Sequence, residues 1–113
     1  MDLVERTRDF ALRIIRLSSS IPSNRTSDVI ARQLLKAGTS PGAHFREALR
    51  ARSKAEYVAK LNGGTMELEE TLYWLEIVEG AKLVAPTKLT PLKKETDELI
   101  AIFVSLSKRW KPK

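Results

Sequence analysis

KAGTSPGAHFREALRARSKAEY, Lys36 to Tyr57, decides the fold of this 113-residue chain. Gly38, Pro41 and Gly42 sit where the residues on either side read as helix. Intrinsic propensity opposes that reading, by about 1 kcal/mol for each interior glycine and about 3 for proline relative to alanine. A turn is the rival. Yet Leu34 and Leu35 before the stretch and Phe45 and Leu49 after it keep helical phase, as a continuous, bent helix requires. Small residues admit a neighbouring backbone, and the hydroxyls of Thr39 and Ser40 can satisfy carbonyls that proline leaves without an amide. Asn62-Gly63-Gly64-Thr65 sets the same puzzle further on. The expectation is that the two thin segments face each other where their helices cross, with Gly38, Ser40, Pro41, Gly42, Gly63 and Gly64 as the packing residues. Packing then has to offset several kcal/mol of lost propensity, a large amount beside the stability of a typical domain.

Outward from this centre, apolar residues recur at alternating steps of four and three along the whole chain, the spacing of one helix face in a bundle. Leu3, Thr7, Phe10, Ile14, Leu17 and Ile21 form the first stripe, ended by Ser18-Ser19-Ser20 and Pro22. Ile30, Leu34, Ala37 and Phe45 form the second, with Ser27 or Asp28 as the starting cap. Ser53 with Glu56 is a capping-box pattern and opens the third, which carries Val58, Leu61, Thr65, Leu68, Leu72 and Leu75 as far as Gly80. Thr90-Pro91 reads as a cap and first turn before Leu92, Thr96, Leu99, Phe103, Leu106 and Trp110. The spacing predicts helices over about 3–19, 28–50, 53–80 and 91–109. With no strand-like alternation and short links, it predicts an all-α, antiparallel up-down-up-down four-helix bundle as a single domain over 1–113.

Composition narrows the function classes. Without cysteine there are neither disulfides nor thiolate metal sites, and a cytoplasmic location is the default. No membrane span or export signal is legible. The net charge of +6 is uneven: residues 1–60 hold 12 Lys/Arg against 6 Asp/Glu, residues 61–80 hold none against 5, and residues 81–113 hold 8 against 3. Such polarity attracts phosphate, pairs a basic face with the acidic face of a neighbour, or simply solvates helices.

ARQLLKAGTSPGAHFREALRARSKAEYVAKL (Ala31–Leu61) followed by ELEETLYWLEI (Glu67–Ile77) resembles the four-helix-bundle family associated with intervening sequences in bacterial 23S rRNA genes. The matching positions are Gln33, Leu34, Gly38, Thr39, Ser40, Gly42, Ala43, Glu47 and Ala48, then Ala51, Arg52, Ser53, Ala55, Glu56, Lys60 and Leu61, then Tyr73, Trp74 and Leu75. His44 departs from the family's usual asparagine, and Asn62-Gly63-Gly64 from a more helical stretch. The resemblance implies a left-handed bundle, often a homopentameric ring, in a family whose members are mostly of unknown function. It also implies a likeness to the accessory protein of diversity-generating retroelements, in which a basic pentamer is implicated in binding nucleic acid and the reverse transcriptase. A shared fold is weak ground for a shared role.

Candidate sites are few. His44, the single histidine, has no second imidazole and no cysteine beside it, so neither a metal site nor a nucleophilic pair is available. It reads as a polar residue at a helix interface, with Glu47 as a hydrogen-bond acceptor one turn on. Glu67, Glu69, Glu70, Glu76 and Glu79 lack the Glu-x-x-His units of a carboxylate metal cage. They read as a solvated face or as partners for arginine on another subunit. No catalytic, cofactor or metal constellation emerges, so the reading is non-enzymatic. Arg46, Arg50, Arg52, Lys54 and Lys60, with Lys108, Arg109, Lys111 and Lys113, form a candidate phosphate-binding surface for RNA or DNA. Tyr57 could stack a base. Two functions stay open: an oligomeric adaptor that holds nucleic acid nonspecifically, and a scaffold that binds only protein.

Overall fold

In a computed structural model that describes residues 2–110, the chain forms α1 (Leu3–Ser20), α2 (Arg25–Leu49), α3 (Lys54–Gly80) and α4 (Pro86–Ser107). Consecutive helices lie side by side up, down, up and down, and α4 closes against α1 over a shorter stretch. The rod measures 48 × 24 × 20 Å.

Each helix begins where a side chain or a proline deals with its exposed amides. Asp2 accepts from the Glu5 amide at 2.8 Å, Asn24 from Ser27 at 2.9 Å and Ser53 from Glu56 at 3.1 Å. The second helix therefore starts three residues before the expected 28. Asparagine caps as well as serine or aspartate, Ser27 is buried, and Asp28 is held by the Ser23 hydroxyl at 2.8 Å. The fourth helix starts at Pro86, not at Pro91. A proline at N1 costs nothing there, and Leu89, fully buried, draws the extra turn onto the core. Pro91 rides inside the helix on its exposed side. The helix stops at Ser107, short of 109, and Trp110 leaves the stripe to pack on Tyr57 with ring centroids 5.1 Å apart.

The core is Phe10, Ile14, Leu34, Leu61, Leu68, Leu75, Leu89, Leu99 and Phe103, all at 0 % exposure, each contributing on the order of 1.5–3 kcal/mol by burial. Along α3 the inward line runs Leu61, Gly64, Leu68, Thr71, Leu75 and Val78, while Val58, Thr65 and Leu72 flank it half-buried. The threonines within the core are satisfied locally. Thr7, Thr71 and Thr96 donate their hydroxyls to the carbonyls of Leu3, Glu67 and Leu92 at 2.9, 2.8 and 2.6 Å.

The helix does run unbroken through Pro41, whose ring is buried. The hydroxyls of Thr39 and Ser40 reach Leu35 O and Lys36 O, at 2.8 and 2.7 Å, two residues and one residue before Ala37, so neither takes the Ala37 carbonyl that Pro41 leaves without an amide. The thin segments, however, do not face each other. A Cβ on Gly38 would lie 2.6 Å from Ile14 Cγ1, and one on Gly42 would lie 3.2 Å from Thr7 Oγ1, so α2 uses both glycines to receive α1. A Cβ on Gly63 would lie 2.8 Å from His44 Cε1, and one on Gly64 would collide with the Phe103 ring. The third helix thus thins to admit side chains from α2 and α4, not a backbone. The small residues mark contacts between three helix pairs, α1 with α2, α2 with α3 and α3 with α4, because facing helices present bulk and gap alternately.

Candidate nucleic-acid interface

Antiparallel topology gathers the start of α1, the end of α2, the start of α3 and the end of α4 at one end of the rod. Three contacts fix this grouping. Gly42 lies against Thr7, Lys60 Nζ sits 2.8 Å from Glu47 Oε1, and Trp110 packs on Tyr57.

The cations then follow from position. Arg46 is in the last turn of α2, Arg50 is its C-cap, Arg52 is in the link, Lys54 is the first residue of α3, Lys108 caps α4 and Arg109 follows. Ala51, 8 % exposed, pins the middle of the link, its amide donating to Ala48 O at 3.0 Å. Arg50 and Arg52 are left in solvent on either side. All of these cations are exposed, and none pairs with a carboxylate among the described residues. Arg46, Arg50 and Lys108 also stand at helix C-termini, where positive charge is favoured by the helix dipole.

Lys60 differs. Its ion pair with Glu47 raises the ammonium pKa above its ordinary value and lowers that of the carboxyl, in both cases first through the hydrogen bond and then through charge attraction. It is a link between α2 and α3, with its charge offset. Lys111 and Lys113 lie outside the described residues. Tyr57 is half-buried against Trp110, not a free stacking platform.

One residue that the linear pattern did not single out joins the group. Arg8 on α1 and Arg46 on α2 flank a groove of about 260 Å³ floored by Thr7, Ala11, Thr39, Gly42 and Ala43. The Gly42–Thr7 contact sets the register that brings them together, and such a register cannot be read along the chain. On the α4 side, Arg6 is committed elsewhere. Its guanidinium forks onto Glu95 at 2.7 and 2.7 Å and reaches Glu98 at 3.2 Å, which holds it still more firmly protonated.

His44 lies between α2 and α3 with Nδ1 buried and without a hydrogen-bond partner among the described residues. Glu47 does not accept from it, because that carboxylate is turned to Lys60. Of the α3 glutamates, Glu79 pairs with Lys93 at 2.7 Å, and Glu69, Glu70 and Glu76 are exposed. Glu67 has one buried oxygen without a partner among the described residues. No group of three or more potential metal ligands occurs among the described residues, and no helix is long and apolar enough to cross a membrane.

Residues 1–105 match the family model described as 23S rRNA-intervening sequence protein. Among solved structures, the chain is similar to a crystal structure from Bacteroides thetaiotaomicron VPI-5482, of a protein with unknown function from the S23 ribosomal protein family. The two are 30% identical with a TM-score of 0.88, over 96% of this chain and 100% of that one. No curated protein matches. The likeness to retroelement accessory proteins draws no support from these comparisons.

Proposed function

The chain belongs to the 23S rRNA-intervening sequence protein family, and on that premise we propose that it is a non-enzymatic, homo-oligomeric module whose basic end holds the phosphate backbone of RNA or DNA without base preference. The observation that carries this reading is the convergence of Arg46, Arg50, Arg52, Lys54, Lys108 and Arg109, unpaired among the described residues, on one end of the rod. The acids at that end do not cancel them. Glu47 is paired with Lys60, which leaves Asp2, Glu5 and Glu56 against the six cations. Exposed cations arrayed without aromatic platforms recognise phosphate and not base edges. A cytoplasmic location accords with this role, and the resemblance favours a pentamer.

Fluorescence anisotropy of labelled single-stranded RNA and duplex DNA tests the reading. Wild-type protein binds both at low salt, and Arg50→Glu with Arg52→Glu abolishes binding while Lys88→Glu, at the other end of the rod, does not. No binding at low salt, or equal loss from Lys88→Glu, rejects it. A scaffold that binds only protein is the second reading, favoured by the exposure of Met66 and Tyr73 on the acidic α3.

A further inference from the structure

We propose that the groove between α1 and α2 seats the outer face of α3 from a second copy of this chain, so that subunits join head to tail. The inference rests on the homo-oligomeric reading above and names the two surfaces that would meet.

The first surface is apolar along its middle and basic along its edges. Leu12, Ile15 and Leu35 are 37, 41 and 37 % exposed. Ile15 and Leu35, with Ser18, Ser19, Ala31 and Arg32, line an open groove of about 300 Å³. Arg32 stands on its rim, and Arg8 continues the same seam toward the basic end. The second surface reverses the charge. Met66 and Tyr73, seven residues apart and so on one helical line, are 71 and 53 % exposed. Around them Glu69, Glu70 and Glu76 are exposed and unpaired among the described residues, in a stretch, 61–80, that contains no lysine or arginine.

Single exposed apolar side chains need no explanation, but aligned ones rimmed by one sign of charge mark contact surfaces. Methionine and tyrosine are enriched at such contacts, and a helix laid in a groove between two others is a recurrent docking mode. Charge then decides who docks with whom. A two-fold contact of α3 with α3 would set glutamate on glutamate, and one of the α1/α2 face with itself would set arginine on arginine, so both self-pairings are repulsive. The α1/α2 groove against α3 is the attractive combination. Because the two faces lie on different sides of the bundle, that contact is heterologous and generates a ring when the rotation closes. Cyclic symmetry would repeat the basic end around one rim, raising the effective concentration of phosphate-binding groups.

Light scattering after size exclusion reads the outcome, with far-UV circular dichroism confirming helicity. Arg8→Glu with Arg32→Glu on one face, or Glu70→Lys with Glu76→Lys on the other, should each reduce the wild-type assembly to a 12.7 kDa monomer. All four changes in one chain should restore the assembly. An equimolar mixture of the two face variants should also associate, although neither does alone. An assembly that survives either face variant, or fails to return in the fourfold variant, overturns this docking and leaves the homo-oligomeric reading standing. Wild-type protein that is monomeric throughout overturns both.

Discussion

Replacing Gly38 with alanine should destabilise the protein, although alanine is the better helix former. A Cβ there would lie 2.6 and 2.7 Å from Cγ1 and Cγ2 of Ile14, where carbon atoms prefer about 3.5–4.0 Å. Ile14 would have to retreat by about 1 Å. It is fully buried, and its branched side chain has one favoured rotamer in a helix. Overpacking of this kind costs about 1–3 kcal/mol, with two clashing carbons placing it near 3. Helix propensity returns about 1, for a net loss of about 2 kcal/mol. Gly80→Ala is the matched control, since nothing lies within 4 Å of its Cβ and its φ is not positive. That change should stabilise by about 0.4–1 kcal/mol. Urea unfolding at fixed protein concentration, with an unchanged m-value, should show midpoints shifted in opposite directions. In an Ile14→Ala background only the contact with the Cβ of residue 14, at 3.0 Å, remains, so Gly38→Ala should become close to neutral, a coupling of about 2 kcal/mol. If Gly38→Ala stabilises the wild-type protein, or costs as much with Ile14 absent as present, the reasoning about close approach is refuted.

Asn24→Ala should cost about 1 kcal/mol in the same assay, because its carboxamide caps α2 at 2.9 Å, and Asn24→Asp should retain most of that stability. Arg6→Lys keeps the charge but loses the two-pronged contact with Glu95, so a loss of about 1 kcal/mol is expected, smaller at high salt. Glu47 titrates below its ordinary range in the folded chain, so its contribution to stability is present above the unfolded pKa of about 4.3 and disappears as pH falls through the folded value. Lys60 works in the opposite sense, its contribution lost as pH rises through its raised value. An NMR titration should find the Glu47 carboxyl depressed, and Lys60→Met should return most of it.

Periodicity made the helices legible because the bundle buries one continuous stripe of each, and the phase of Leu34 and Phe45 across Pro41 identified a single helix where propensity alone would have broken it. Helix starts were harder to read, since Asn24, Ser27 and Asp28 compete as caps and Pro86 and Pro91 as first-turn residues. Tertiary burial of Ser27 and Leu89 settles both. The thin segments were visible as glycine and proline, but not what fills them, because the partner depends on which helix lies beside each face. Clustering at the basic end followed from the order of elements. The offset charge of Lys60 and the approach of Arg8 to Arg46 depend on register between helices, which no linear pattern records.

The salt dependence of RNA affinity tests the role of the basic end most directly. For a single strand the slope of log K against log salt is about −0.7 per phosphate neutralised, so contact with about four phosphates gives a slope near −3. Changing Arg50 and Arg52 to glutamine should flatten the slope by about 1.4 and leave the protein's mass in solution unchanged. A wild-type affinity that is flat with salt, or a slope unmoved by losing both arginines, would contradict the account.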